Sequence, residues 1–165
     1  QLEGLLGRTL DHERLAGERL GRFHERVGEL TLLPGVAELI EDAKTAGWRV
    51  AVASSADRPW VHGHLERQGL FPLFDAVRTF DDVERAKPAP DLYLSVLEAL
   101  GVAPHEAIAL EDSPPGMHAA KAAGMYGVAV PNRITRHYDL SHADAVVDSL
   151  AGLTVRDLSE LVRSR

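Results

Sequence analysis

Two adjacent carboxylates, Glu111 and Asp112, directly follow a short apolar run, Ile108 to Leu110, in the second half of the sequence. Such a run is typical of a buried strand, and two carboxylates at its end are unfavourable unless a cation or hydrogen bonds compensate them. Carboxylate oxygens suit Mg²⁺, which commonly takes one or two of them together with phosphate oxygens and water. The alternative is that Asp112 or Ser113 only caps the following helix. These residues alone leave both interpretations open.

Two further segments contain groups that could bind or neutralise a phosphate. Ser54 and Ser55 follow the apolar run 50–53, and a hydroxyl with exposed backbone N–H groups at a strand end can hold a phosphate oxygen. A serine at such a place is, however, more often a helix N-cap. Lys87 lies beside two prolines that fix the backbone, and its ammonium could neutralise a transferring phosphoryl group. Taken alone, Lys87 is more simply a solvated loop residue.

From Pro34-Gly35 onward, short apolar runs alternate with amphipathic segments that end at a glycine. The predicted strands are 50–53, 76–77, 108–110, 127–130 and 145–147, and the predicted helices are 36–46, 59–68, 91–100, 116–123 and 154–162. This alternation predicts a parallel α/β sheet covered by helices on both faces. Because chemistry in such sheets gathers at the carboxyl ends of the strands, the serines, the lysine and the acidic pair are expected at one edge.

The composition excludes several classes of function. The 165-residue chain carries a net charge of −7 and has no cysteine, so it is poorly suited to nucleic acid or anionic membranes and has neither disulfides nor thiolate chemistry. We therefore predict a cytoplasmic protein that has no nucleic-acid or membrane partner. The sequence gives no indication of the oligomeric state. Since no glycine-rich phosphate loop occurs, a nucleotide-binding domain is the least favoured class.

Together these segments resemble the haloacid dehalogenase superfamily. Ser54 in Val-Ala-Val-Ala-Ser-Ser, Lys87 in Ala-Lys-Pro-Ala-Pro-Asp-Leu-Tyr and Glu111-Asp112 in Ala-Leu-Glu-Asp-Ser-Pro-Pro-Gly-Met are similar to its second, third and fourth motifs. The pattern is most similar to the β-phosphoglucomutase-like phosphatases. The resemblance runs from about Leu33 to the C-terminus. It implies a Rossmann-like α/β core over 33–165, with a remnant of an α-helical cap over 1–32.

The resemblance also implies a role for each candidate residue. Ser54 and the backbone N–H of Ser55 would hold the phosphate, and Lys87 would bridge the phosphate and the nucleophile. Asp112 would bind Mg²⁺ with help from Glu111, directly or through water, and the neighbouring serine at position 113 (Ser113) would add a supporting hydrogen bond. The implied reaction is Mg²⁺-dependent hydrolysis of a small phosphorylated metabolite of the sugar phosphate class. A β-phosphoglucomutase-type isomerisation is the alternative.

One motif of the family is missing from these residues. Asp-x-Asp, whose first aspartate forms an aspartyl-phosphate and whose second acts as acid and base, occurs nowhere in the 165 residues. In the family its strand lies mid-sheet, between the strands that match 50–53 and 108–110, so we expect a gap there. We expect the nucleophile to come from a segment upstream of Gln1 and the 165-residue chain alone to be inactive. A binding or regulatory module that has lost catalysis is the competing hypothesis.

Overall fold

The computed structural model describes Asp11 and residues 30–164. The chain divides into two compact units, Gln1–Leu32 and Leu33–Arg165. The helices predicted before Leu32, including the cap remnant over 1–32, lie almost entirely outside the described residues and stay a prediction. All of the described helices and strands lie in the second unit.

Helices and strands alternate along the second unit, as the sequence predicts. The helices are α1 Val36–Thr45, α2 Arg58–Arg67, α3 Asp91–Leu100, α4 Pro114–Ala122 and α5 Val155–Arg163. The strands are β1 Ala51–Ala53, β2 Ala76–Arg78, β3 Ile108–Glu111, β4 Tyr126–Ala129 and β5 Ala145–Val146. Every strand pairing among the described residues is parallel. The predicted α/β fold is therefore confirmed.

The described strands form two sheets. β1 pairs with β2, with Ala51 opposite Ala76, and a separate sheet has the order β3-β4-β5, with Ile108 opposite Tyr126. Within the part of the chain that the structure describes, no pairing joins β1 to β3. A cavity of about 510 Å³ is lined by both of these strands.

Helices pack against both faces of the strands because successive side chains of a strand point to opposite sides. Ala109 of β3 packs with Tyr93 and Leu97 of α3 and with the alanines of α4. Its neighbour Ile108 packs instead against the cluster that contains Leu39 of α1 and residues of α5. The core is thus divided between two helical layers. In the described region, no helix is both long enough and apolar enough to cross a membrane.

Helix α1 begins at a turn that only glycine fits. Gly35 has a φ of 88°, in the left-handed region that other residues disfavour. A Cβ at this position would collide with the backbone carbonyl of Leu150. The glycine therefore allows the start of α1 to lie directly against the segment that leads into α5.

Replacing Gly35 with alanine should destabilise the core by more than conformational strain alone. The left-handed conformation costs roughly 1–2 kcal/mol for an L-residue, and the collision with Leu150 adds to this loss. Urea unfolding of Gly35→Ala should show a loss of free energy of unfolding from both the strained backbone and the collision. Gly47→Ala should show only the loss from the strained backbone, because Gly47 has a φ of 78° and no heavy atom within 4 Å of its Cβ position. Equal losses in the two variants would contradict the proposed close approach.

Candidate active site

Lys87, Tyr93 and Glu111 form a buried polar cluster at the carboxyl end of β3. The ammonium of Lys87 forms an ion pair with Oε1 of Glu111, and the Tyr93 hydroxyl donates to the same oxygen at 2.5 Å. The ammonium also lies 4.7 Å from the centre of the Tyr93 ring, within reach of a cation–π interaction. Only 13% of the Lys87 side chain and 7% of the Glu111 side chain are exposed. Each charge is therefore compensated by a fixed partner, as burial requires.

The loop between β2 and α3 delivers Lys87 to this cluster. The Lys87–Pro88 peptide bond is cis, and Pro90 is the N-cap residue of α3. Arg85 pairs with Asp91 at 2.9 Å across the loop. Tyr93 follows in the first turn of α3 on its buried face. The loop and the first turn of the helix thus reach the same carboxylate.

Helix α4 supports that carboxylate from the other side. The hydroxyl of Ser113 accepts a hydrogen bond from the backbone N–H of Gly116 at 3.2 Å and donates to Oε2 of Glu111 at 3.4 Å. Ser113 is therefore both the cap of α4 and a partner of Glu111, which combines the two roles that the sequence left open. A Cβ at Gly116 would overlap the carboxylate of Glu111. A glycine here gives the carboxylate the space that it needs.

Asp112 is directed to a different partner. Its Oδ2 accepts a hydrogen bond from the side-chain amide of Asn132 at 2.6 Å. The amide oxygen of Asn132 accepts from the backbone N–H groups of Ile134 at 2.7 Å and Thr135 at 3.1 Å. The hydroxyl of the buried Thr135 accepts from the backbone N–H of Asn132 at 2.9 Å. The loop after β4 thus holds Asn132 rigidly and orients the half-buried Asp112.

Ser54 and Ser55 lie in the turn between β1 and α2. The backbone N–H of Ser54 donates to the carbonyl of Arg78 at 2.9 Å, and its hydroxyl accepts from the N–H of Ala56 at 3.2 Å. The N-cap of α2 is Asp57, so the helix-cap alternative for Ser54 is wrong. Among the described residues, no hydrogen bond joins either serine to Lys87 or Asp112. The structure therefore joins the lysine directly to Glu111, whereas the hydrogen bonds of Ser54 are made within its own turn and to the end of β2.

Sequence reasoning missed two residues of this site, Tyr93 and Asn132. Tyr93 lies six residues after Lys87, on the apolar face of a predicted helix, where an aromatic residue is commonly assigned to packing. Asn132 follows β4 by three residues. A search of the residues after every predicted strand would have found Asn132, because the carboxyl ends of parallel strands lie at one edge of a sheet.

Burial raises the pKa of the Tyr93 hydroxyl above its ordinary value of 10.0, and the negative charge of Glu111 adds to this effect. The hydroxyl therefore keeps its proton and remains a hydrogen-bond donor to Glu111. Since the same oxygen is the partner of Lys87, Tyr93 and Lys87 together hold the carboxylate in one position.

The oxygen donors at this edge fit Mg²⁺ chemically. Both carboxylate oxygens of Glu111 have protein partners, whereas the hydrogen bond to Asp112 reaches Oδ2 and leaves Oδ1 available among the described residues. In the same part of the chain, no three His, Cys, Asp or Glu residues form a metal-binding group. One available carboxylate beside a second suits an ion that keeps several waters and takes phosphate oxygens as ligands.

Comparison with known proteins agrees with this architecture. The family model of haloacid dehalogenase-like hydrolases matches residues 3–124. YhcW of Bacillus subtilis, whose name assigns it provisionally to the phosphatases, is 41% identical over 164 residues, which are 99% of this chain and 74% of that protein. The chain spans 56% of CbbY from Cereibacter sphaeroides.

Two crystal structures show the same fold. A CbbY mutant from Rhodobacter sphaeroides in complex with xylulose-(1,5)bisphosphate matches with a TM-score of 0.77 and 36% identity, covering 90% of this chain and 69% of that chain. β-Phosphoglucomutase from Clostridium difficile matches with a TM-score of 0.76 and 27% identity, covering 92% of this chain and 66% of that chain. The fold and the matches define a hydrolase built on a parallel α/β sheet. More particularly, the chain belongs to the haloacid dehalogenase-like hydrolase family, and the resemblance inferred from its motifs is confirmed.

Replacing Tyr93 with phenylalanine should remove a hydrogen bond to a buried carboxylate and cost about 1.5–3 kcal/mol of the free energy of unfolding at neutral pH. Because the folded state raises the pKa of Tyr93, its contribution is complete below the unfolded value of 10.0 and is lost as the pH rises above it. The difference in free energy of unfolding between wild type and Tyr93→Phe should therefore shrink above pH 10.

Denaturant unfolding across this pH range measures the effect. Tyr138→Phe is the matched control, since Tyr138 is 56% exposed, and its stability should follow the wild type at every pH. A constant difference between wild type and Tyr93→Phe would show that the Tyr93 hydroxyl does not titrate differently on folding.

Proposed function

We propose that the complete protein is a Mg²⁺-dependent phosphatase that acts on a small phosphorylated metabolite of the sugar phosphate class. The observation that carries this proposal is the ammonium of Lys87, held by the buried Glu111 next to an oriented, half-buried Asp112. The relatives support the substrate class, since YhcW is named among the phosphatases and CbbY was crystallised with a sugar bisphosphate.

The charge balance of the site explains why a cation would be required. Lys87, Glu111 and Asp112 together carry a formal charge of −1, which repels a phosphate dianion. A divalent cation beside Asp112 would reverse the sign of the site and favour phosphate. The phosphate and the cation would therefore bind together.

Each residue of the site has a separate task in the proposed mechanism. An aspartate from a segment outside the 165 residues attacks phosphorus, the bond to the leaving oxygen of the metabolite breaks, and water hydrolyses the resulting aspartyl-phosphate. Lys87 neutralises charge on the transferring phosphoryl group, and Glu111 and Tyr93 keep its ammonium in place beforehand. The Ser54 hydroxyl and the N–H of Ser55 bind phosphate oxygens.

Asp112 would hold Mg²⁺, with Glu111 assisting through water and Asn132 setting the direction of the Asp112 carboxylate. When bound, the ion supplies charge neutralisation at the phosphate oxygens. Asp112 would thus be the main ligand of the metal, and Glu111 the main partner of Lys87. We keep the predicted cytoplasmic location as part of this proposal.

A β-phosphoglucomutase-type isomerase is the second candidate, because the fold matches β-phosphoglucomutase from Clostridium difficile. An isomerase returns the phosphoryl group to a second hydroxyl of the sugar, whereas a phosphatase releases inorganic phosphate. Product analysis on a panel of sugar phosphates distinguishes them. If the complete protein binds sugar phosphates but turns none of them over with Mg²⁺, a binding or regulatory module would replace both candidates.

Lys87→Ala in the complete protein should lower kcat for phosphate release by at least about 100-fold, the usual effect of removing a preorganised electrostatic group. Asp112→Asn should abolish the dependence on Mg²⁺ together with most of the activity. The matched control is Lys44→Ala, which removes an exposed lysine paired with Asp75 and should leave kcat unchanged. Near-normal turnover by Lys87→Ala would remove Lys87 from the mechanism.

Asn132→Ala should weaken Mg²⁺ binding by about tenfold or more, the usual effect of losing a residue that orients a metal ligand. Isothermal titration calorimetry with Mg²⁺ measures this without an activity assay. Arg133→Ala changes an exposed neighbour in the same loop and should bind Mg²⁺ like the wild type. Unchanged affinity in Asn132→Ala would show that the direction of Asp112 does not matter for the metal.

A further inference from the structure

We propose that Asp81 and Asp82 are positioning residues, which hold the turn 54–57 with its two serines in the conformation that binds phosphate. Both carboxylates lie in the short 3₁₀ helix Phe80–Asp82 that follows β2. The inference rests on the proposed function, in which the serines of this turn bind the phosphate. The hydrogen bonds between the turn and the short helix are seen directly in the structure.

The two carboxylates contact the same residue, Arg58, which follows the turn and begins α2. Oδ2 of Asp81 accepts from the backbone N–H of Arg58 at 2.7 Å, and Oδ1 of Asp82 pairs with the guanidinium at 2.5 Å. The first N–H groups of a helix have no partner within the helix, so Asp81 caps α2 from a different segment of the chain. The main chain and the side chain of Arg58 are therefore both fixed by one short helix.

The short helix that carries the two carboxylates is itself firmly anchored. Oδ2 of Asp82 accepts from the N–H and from the hydroxyl of Thr79, both at 2.8 Å, and Thr79 is completely buried. Although burial alone would raise the pKa of Asp82, the hydrogen bonds from Thr79 and the charge of Arg58 hold it below its ordinary value. Asp82 therefore stays charged at neutral pH, with one oxygen bound to its own segment and the other to Arg58.

The other contacts of the turn also lead to the segment at the end of β2. The N–H of Ser54 donates to the carbonyl of Arg78 at 2.9 Å, and the carbonyl of Ala56 accepts from the N–H of Phe80 at 3.0 Å. In the described part of the chain, the only hydrogen bond within the turn joins Ala56 to the Ser54 hydroxyl, and no protein group accepts from the N–H of Ser55. The conformation of the turn is therefore set largely by its neighbour, and the Ser55 N–H is left for an anion.

The charges of this arrangement are compatible with an anion site. Two carboxylates beside a phosphate-binding turn would repel phosphate unless they were compensated. Arg58 balances Asp82, and Asp81 lies at the amino end of α2, where the helix dipole favours a negative charge. Neither carboxylate therefore needs a cation from the site, and both remain available to hold the turn.

The chain contains the same capping arrangement at a helix that contributes no residue to the proposed site. At the start of α5, Oδ2 of Asp157 accepts from the N–H of Thr154 at 2.8 Å and from its hydroxyl at 2.6 Å. Among the described residues, the carboxylate of Asp157 has no other hydrogen-bond partner. Asp82 differs by its additional bond to Arg58. Loss of Asp157 therefore measures the effect of the cap alone, and loss of Asp82 measures the cap together with the hold on the turn.

The test compares Asp82→Ala with Asp157→Ala in the complete protein with Mg²⁺ present. Calorimetric titration with inorganic phosphate gives Kd, and steady-state kinetics on a sugar phosphate give KM and kcat. Asp82→Ala should raise Kd and KM at least about tenfold. Because a displaced turn binds the phosphate poorly both before and during its transfer, kcat should change little. Asp157→Ala should lose stability without a change in Kd, KM or kcat.

A double-mutant cycle shows whether Asp82 acts through the turn. Ser54→Ala already removes a phosphate-binding hydroxyl, so adding Asp82→Ala should weaken phosphate binding by a smaller factor than it does in the wild type. Independent effects of the two substitutions would mean that Asp82 reaches the site by another route, and they would overturn its positioning role.

Two variants of Asp81 test the hydrogen bond to the main chain. Asp81→Asn keeps an oxygen that can accept from the N–H of Arg58, whereas Asp81→Ala does not. Phosphate affinity should therefore be close to that of the wild type in Asp81→Asn and weaker in Asp81→Ala. Equal affinity in the two variants would remove Asp81 from the proposal.

Amide hydrogen exchange separates this inference from the proposed function, because it reports on the turn without phosphate. The N–H groups of Arg58 and Phe80 should exchange faster in Asp82→Ala than in Asp157→Ala. Faster exchange with weaker phosphate binding supports the positioning role. Unchanged phosphate binding by Asp82→Ala overturns that role and leaves the function intact. A wild type that neither binds nor releases phosphate overturns the proposed function, and faster exchange would then show that the two aspartates hold the turn for the fold alone.

Discussion

The buried ion pair between Lys87 and Glu111 is the interaction on which the rest of the site depends. Two charges removed from water are unfavourable unless each has well-placed partners, and this requirement fixes four pieces of the chain. β3 supplies Glu111, the loop after β2 supplies the lysine, and α3 supplies Tyr93. The start of α4 supplies the hydroxyl of its N-cap Ser113 and the space left by Gly116. Loss of the Glu111 carboxylate alone would leave the buried ammonium of Lys87 without a compensating charge.

The ion pair also explains how two neighbouring carboxylates acquire different tasks. Because successive side chains at the end of a strand point to opposite sides, Glu111 is directed into the cluster and Asp112 towards Asn132. The charge of Lys87 is already balanced by Glu111, so it does not compete for Asp112. The second carboxylate therefore remains available for a cation, and the site has an anionic balance that only a cation can reverse.

The sequence predicts the elements well because apolar runs and capping glycines are local signals, and it predicts where Lys87 and the acidic pair lie. It does not predict their partners, since the pairing of Lys87 with Glu111 and of Asp112 with Asn132 joins segments 20 or more residues apart. The helix-cap alternative for Ser54 could have been rejected from sequence. Asp57 with a proline two residues later is a typical helix start, and it leaves Ser54 outside the helix.

The serines and Lys87 are anchored on different sheets of the described region. Ser54 belongs to the β1–β2 sheet, whereas Glu111 and its lysine partner are anchored on the β3 side, and within the described residues no backbone pairing fixes the distance between them. Both β1 and β3 line one cavity together with apolar side chains of α1 and α3, so side-chain packing relates the two sheets. The geometry of the serines relative to Lys87 is therefore set by tertiary packing between the two sheets, and the local sequence around each residue cannot determine it.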